Sequence, residues 1–230
     1  MVTVKLKISG IPAMIWGEKS DKVYLHVHGK MSRKEYAEDF ARIAQEKGYQ
    51  TLSFDLPMHG ERAAEQTRCD IWNGVHDLKQ IGAYAFSNWK EVSLAACSLG
   101  AFFSLHAYPL LEFQNCLFQS PILDMEYLIR QMMAWFGITQ ERFAAEQEIE
   151  TPVDTMSWAY YQYVKTHPVS RWEIPTHILY GAKDHMQSRA VVEAFAKQHG
   201  CKLTVSENSE HPFMAEADRQ IVADWLYGNI

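Results

Sequence analysis

VSLAACSLGAFFSL, residues 92–105, opens as an apolar, β-leaning run and breaks at a serine. Ser98 stands between Ala96 and Gly100, small residues two before and two after it. A strand that turns sharply into a helix crowds its own backbone at the turn, and small residues at those two positions relieve the crowding. Read this way, Ser98 is a nucleophile projected from a strand-to-helix elbow of the form A-x-S-x-G. The same context suits an ordinary serine capping a helix N-terminus. The choice turns on partners elsewhere in the chain.

Outward from this stretch, strands and helices alternate. Residues 2–8 and 11–16 read as a hairpin joined near Gly10, and KVYLHVH (22–28) as a third strand ending at Gly29. Tyr36, Ala37, Phe40, Ile43 and Ala44 then recur at helical spacing, and Gly48 suits the position just past a helix end. YQTLSFDLP (49–57) returns to strand, and a helix is expected around 73–88. NCLFQSPI (115–122), THILYG (176–181) and CKLTVS (201–206) complete the strands, with helices over RAVVEAFAKQHG and AEADRQIVADWLYG. The alternation predicts an α/β fold with a mostly parallel sheet covered by helices on both faces, over one domain spanning 1–230.

Residues 124–171 break the rhythm. They hold two or three helical segments rich in Met and aromatic residues, far more chain than a simple crossover needs. We read them as a small helical cap over the sheet edge where Ser98 should lie; a plain helical layer would use the same side chains as core.

Composition narrows the class. With 47% hydrophobic and 22% charged residues the chain reads as a folded globular protein. A net charge of −6 disfavours nucleic acid and anionic membrane surfaces. The N-terminus MVTVKLKISG lacks the layout of a signal peptide, and no apolar run is long enough to span a membrane. Cys69, Cys97, Cys116 and Cys201 form no paired motif, which fits a reduced, cytoplasmic setting. A homo-oligomer is compatible with this composition.

A serine hydroxyl needs a base within reach, an acid behind that base, and donors for the developing oxyanion. His211 follows the last strand in ENSEHPF, just before the last helix. Asp184 lies three residues past Gly181, in the loop after THILYG. Asp124, after NCLFQSPI, is the rival acid; Asp184 is favoured because its Gly-x-x-Asp turn directly follows its strand. The second oxyanion donor, beside the Leu99 amide, is expected from His28-Gly29-Lys30, with the Lys30 amide as the group. His26 and His28 share a strand face but lack the partner cluster of a catalytic metal site. In FDLPMHGER (54–62), Asp55, His59 and Gly60 are expected to shape the loop, while Arg62 could meet an acidic substrate group or an internal carboxylate.

Taken together, the HG loop, DLPMHGER, ACSLG, YGAKDHM and SEHPF resemble the α/β-hydrolase superfamily, and most of all its small single-domain esterases and acyl-hydrolases. The resemblance runs over nearly the whole chain. It implies a Ser98–Asp184–His211 triad, an oxyanion hole from the Lys30 and Leu99 amides, and no cofactor. It departs from the pattern at Ala96, which replaces the first elbow glycine, and at Glu210, where smaller residues are usual.

The expected activity is hydrolysis of small to medium apolar or aryl carboxylic esters through an acyl-enzyme. The expected pocket is lined by Met125, Met132, Trp135, Phe136, Trp158 and Tyr161. A thioesterase or C–C bond hydrolase would use the same triad. A ligand-binding homologue without turnover is the alternative from another class.

Overall fold

The computed structural model describes residues 1–230. The strands are β1 (Thr3–Ile8), β2 (Ile11–Trp16), β3 (Lys22–Val27), β4 (Gln50–Phe54), β5 (Glu91–Cys97), β6 (Cys116–Gln119), β7 (Glu148–Glu150), β8 (Thr155–Ser157), β9 (Thr176–Gly181) and β10 (Lys202–Ser206). The helices are α1 (Glu38–Glu46), α2 (Ile71–Asn88), α3 (Leu99–Ala107), α4 (Met125–Trp135), α5 (Gln140–Glu146), α6 (Trp158–Thr166), α7 (Arg189–His199) and α8 (Glu216–Asn229). No helix is long and apolar enough to cross a membrane.

Eight strands form one sheet in the order β1-β2-β4-β3-β5-β6-β9-β10. Pairing is parallel from β4 through β10, while β2 runs antiparallel to both β1 and β4. The central strands are apolar on both faces, as a strand covered by helices on two sides must be. Alternation along each strand then sorts side chains between two cores. Ala95, Leu117 and Leu179 join Phe40 and Ile43 of α1 and Trp225 and Leu226 of α8. Their neighbours Leu94, Ala96, Phe118, Ile178 and Tyr180 face α2, α3 and α7 in the larger core.

Register carries the site. Val27 of β3 pairs with Ala96 of β5, and Cys97 pairs with Gln119 of β6. Gln119 in turn pairs with Leu179 of β9, and Ser206 of β10 with Gly181. The carboxyl ends of β3, β5, β6, β9 and β10 therefore finish along one edge, and the loops that leave them are neighbours.

Between β6 and β9 the chain builds α4, α5, α6 and a small separate hairpin, β7–β8. Phe143 is fully buried here, its ring 5.4 Å from that of Trp158 and stacked 5.9 Å from Tyr161. Two sequence expectations need correction, and one short element went unread. The helix read from Tyr36 begins as a 3-10 turn over Lys34–Ala37, and Tyr36 faces solvent at 63% exposure. The β7–β8 hairpin has strands of three residues, too short to leave an alternating pattern. β3 ends at Val27, so His28 belongs to the following loop and shares no strand face with His26. Their rings separate, His26 against Phe40 and His28 against His59.

Candidate active site

Ser98 lies between β5 and α3 with φ 49° and ψ −118°. A non-glycine residue reaches that region only under strain, and the surrounding structure must hold it there. The grip is visible in hydrogen bonds to its backbone. Its amide donates to Gln119 O at 3.2 Å, and its carbonyl accepts from Ala101 and Ile122. Gly100 supplies the clearance: a Cβ there would stand 2.5 Å from His28 O and 2.6 Å from Val27 O. An N-cap serine would sit in extended backbone and accept an amide of the first helical turn. Ser98 does neither.

The Ser98 hydroxyl instead meets His211 Nε2 at 2.8 Å. On the far side of the ring, His211 Nδ1 is 2.7 Å from Asp184 Oδ2. A proton on Nδ1 donated to the carboxylate leaves Nε2 free to accept from the serine. The other oxygen, Asp184 Oδ1, accepts the amides of Met186 at 2.7 Å and Gln187 at 3.2 Å. Asp184 thus shapes its own turn and faces the histidine with different oxygens. Asp184 and His211 are both buried, at 8% and 6% exposure.

The loops carrying Asp184 and His211 are joined to each other. Lys183 N donates to Ser209 O at 3.0 Å, and Ala182 N to Ser206 O at 2.9 Å. Gly181 permits this approach, since a Cβ there would stand 2.4 Å from Ser209 O. Asp124, the rival acid, caps α4 by accepting the Tyr127 amide at 2.8 Å and is exposed. The site's acid neighbour is therefore Asp184.

The His28-Gly29-Lys30 loop passes directly beside Ser98. A Cβ on Gly29 would come within 3.1 Å of Ser98 Cβ. The amides of Lys30 and Leu99 make no hydrogen bond within the protein. Burial pushes His28 down to about 4, so its ring is neutral near pH 7. Its Nε2 accepts the Leu56 amide at 3.1 Å, and its Nδ1 donates to Gly29 O at 2.7 Å.

The remaining site expectations divide. Arg62 pairs with Asp77 and Glu65 and donates to Asp55 O, an internal structural role. Glu210 is exposed beside His211. Burial, reinforced by the nearby Asp184 charge, pushes the Cys97 thiol up to about 12.

The candidate pocket residues are spread across the β6–β9 connection. Met125 and Tyr161 are buried in packing, and Trp158 packs on Phe143 and Tyr161. Met132 and Phe136 are partly buried, and Trp135 is 44% exposed with its ring 5.7 Å from His185 beside the acid. The same connection touches the site's loops at two further places. Lys30 pairs with Asp154 of the β7–β8 turn, and Gln187 Oε1 accepts the amides of Leu123 and Asp124.

Gln187 and the wiring of His28 went unnoticed in sequence, because their partners are backbone amides brought near only by folding. Two surface clefts, of about 330 and 240 Å³, lie along α2, α3 and α6, and none of Ser98, Asp184 or His211 lines either one.

No family model and no curated protein matches the chain. Solved structures do. The chain is similar to the ferulic-acid-bound Est1E from Butyrivibrio proteoclasticus, at TM-score 0.79 and 17% identity over 98% of this chain and 96% of that one. It is similar to mouse alpha/beta hydrolase domain-containing protein 10, at TM-score 0.76 and 14% identity over 98% and 97% of the two chains. It is similar as well to the Pyrococcus furiosus esterase Pf2001, at TM-score 0.71 and 14% identity over 98% and 88%. Sheet order, connection pattern and these likenesses agree: the chain has the α/β-hydrolase fold.

Proposed function

We propose that the protein is a serine hydrolase of carboxylic esters. The observation that carries this reading is the continuous chain of contacts from Ser98 Oγ to His211 at 2.8 Å and from His211 to Asp184 at 2.7 Å. It joins three loops distant in sequence around a serine held in strained backbone.

In this reading the Ser98 oxygen attacks the acyl carbon as His211 Nε2 takes its proton. Asp184 holds the ring in the tautomer with Nδ1 protonated and stabilises the imidazolium. The carbonyl oxygen gains negative charge and is met by the Lys30 and Leu99 amides, which have no competing partner in the protein. His211 returns the proton to the leaving alkoxide. Water, activated by the same histidine, then releases the acid and restores Ser98.

We read the β6–β9 connection as a cap, because it meets the acid loop at His185 and the Gly29 loop at Lys30. We assign Met132, Trp135 and Phe136 of α4 to its inner wall, since their apolar and aromatic character suits an acyl or aryl group. Est1E, a similar structure, holds ferulic acid, which favours aryl esters within this class. Four cysteines, none of them in a disulfide, fit a reduced, cytoplasmic setting.

The test is turnover of p-nitrophenyl acetate through octanoate by wild type and Ser98→Ala. Hydrolysis lost in the variant supports the proposal. No hydrolysis of any member by wild type, or undiminished turnover in Ser98→Ala, would overturn it.

A further inference from the structure

The loop that supplies the Lys30 amide has no regular structure of its own. The 55–62 loop holds it in place. Met31 N donates to His59 Nε2 at 3.0 Å, and Lys34 N donates to Asp55 Oδ1 at 2.9 Å. The first bond is made by the residue immediately after Lys30, so it sets the peptide plane next to the open amide.

His59 can do this because its ring is fixed. Its Nδ1 donates to Pro57 O at 2.8 Å, which leaves Nε2 unprotonated and able to accept. The ring is buried at 9% exposure and lies 5.3 Å from the His28 ring. The loop presenting it is itself wrapped on one carboxylate. Asp55 Oδ2 accepts Glu61 N at 3.0 Å and Lys34 Nζ at 2.7 Å. Gly60 makes that wrap fit: φ is +54°, and a Cβ would stand 2.2 Å from Asp55 Oδ1. Burial opposes the Lys34 charge, but hydrogen bonds to Asp55, Glu61 and Glu35 outweigh it and hold its pKa above the ordinary value.

We propose that His59 is a positioning residue for the oxyanion hole. Its Nε2 takes the Met31 amide out of play and leaves the adjacent Lys30 amide free to meet the carbonyl oxygen that Ser98 attacks. This rests on the serine-hydrolase reading above. His59 touches neither the substrate nor Ser98, and its effect reaches the chemistry only through the loop.

Two amide side chains separate this role from simple loop support. Gln at position 59 can offer an oxygen where Nε2 stands and keep the Met31 acceptor. Asn is shorter, keeping at most the bond to Pro57 O and losing the Met31 acceptor. The readouts are kcat and KM on p-nitrophenyl butyrate, the second-order rate of Ser98 labelling by a fluorophosphonate, and melting temperature.

Displacing one oxyanion donor without deleting it should cost about tenfold or more in His59→Asn, in kcat and in labelling rate, with KM nearly unchanged. His59→Gln should recover to within about threefold of wild type. His59→Leu should behave as Asn does; should it fail to fold, the Asn and Gln pair still decides. Equal rates in Asn and Gln, or losses that track melting temperature alone, overturn the positioning role. A wild-type protein that neither turns over esters nor labels at Ser98 overturns the serine reading itself, and this proposal with it.

Discussion

At the scale of single residues, the assignment of Ser98 rests on what its hydroxyl declines to do. The residue stands at a helix N-cap, yet its hydroxyl accepts no helix amide and turns instead to His211. Asp184→Asn removes the negative charge behind the ring and permits the wrong tautomer. A fall in kcat of about 10⁴-fold is expected, measured on the ester used for wild type. A loss of less than about tenfold would place the acid elsewhere.

Cys97 provides the opposite expectation. Its thiol, pushed up to about 12, carries almost no thiolate at neutral pH. Cys97→Ala should keep wild-type turnover, and iodoacetamide at pH 8 should leave activity intact. Inactivation that tracks alkylation of Cys97 would contradict this. Ser98, Asp184 and His211 were legible in sequence because each follows an apolar strand in the order the elbow demands. His59 was legible only as a residue that shapes its loop, and Gln187 not at all, because a side chain that bonds backbone groups needs no neighbour of any particular type.

At the scale of elements, glycines report how closely loops and strands approach. A methyl at position 100 would press on two carbonyl oxygens of the β3 end, neither of which can yield without moving that strand. Gly100→Ala should therefore cost about 1–3 kcal/mol of stability. Gly29→Ala, with its nearest contact at 3.1 Å from Ser98 Cβ, should cost less in stability. Thermal unfolding of both variants checks the order, and a reversal would discredit the packing account.

Within the β6–β9 connection, Phe143→Ala empties the centre of an aromatic cluster and should destabilise by about 3–5 kcal/mol, read by urea unfolding. The strands and long helices were legible from periodicity. The β7–β8 hairpin and the 3-10 start before α1 were not. Each is a single short turn of structure whose form is set by contacts with distant segments. Lys34 is buried, and three carboxylates, those of Glu35, Asp55 and Glu61, meet its charge there.

For the whole molecule, buried histidines govern acid tolerance. Burial pushes His28 down to about 4, and it does the same for the partly buried His26 and His106. The folded state keeps these rings neutral, while the unfolded chain takes up protons below about pH 6.5. Their stabilising contribution is complete above that value and is lost as pH falls towards about 4. The loss is at most about 3 kcal/mol for each fully buried ring. Urea midpoints at pH 7 and 4.5 should differ accordingly, and His26→Leu should reduce the difference. Identical midpoints would show that these rings exchange protons with solvent in the folded state.

The connection that we propose as a cap has a topological duty too. β6 and β9 are parallel neighbours, so the chain leaving Gln119 at one edge of the sheet must travel to the other edge before Thr176 can begin. Residues 120–175 are that return path. Its final leg is bolted to the sheet, with Trp172 Nε1 donating to Thr176 Oγ1 at 2.8 Å and its ring 5.6 Å from Phe118. Cutting this connection down to a tight turn would force β9 to run backwards and carry Asp184 to the wrong edge. Replacement is open where excision is closed. A foreign segment spliced between Leu123 and Trp172 could change the proposed cap while leaving Asp184 where it stands.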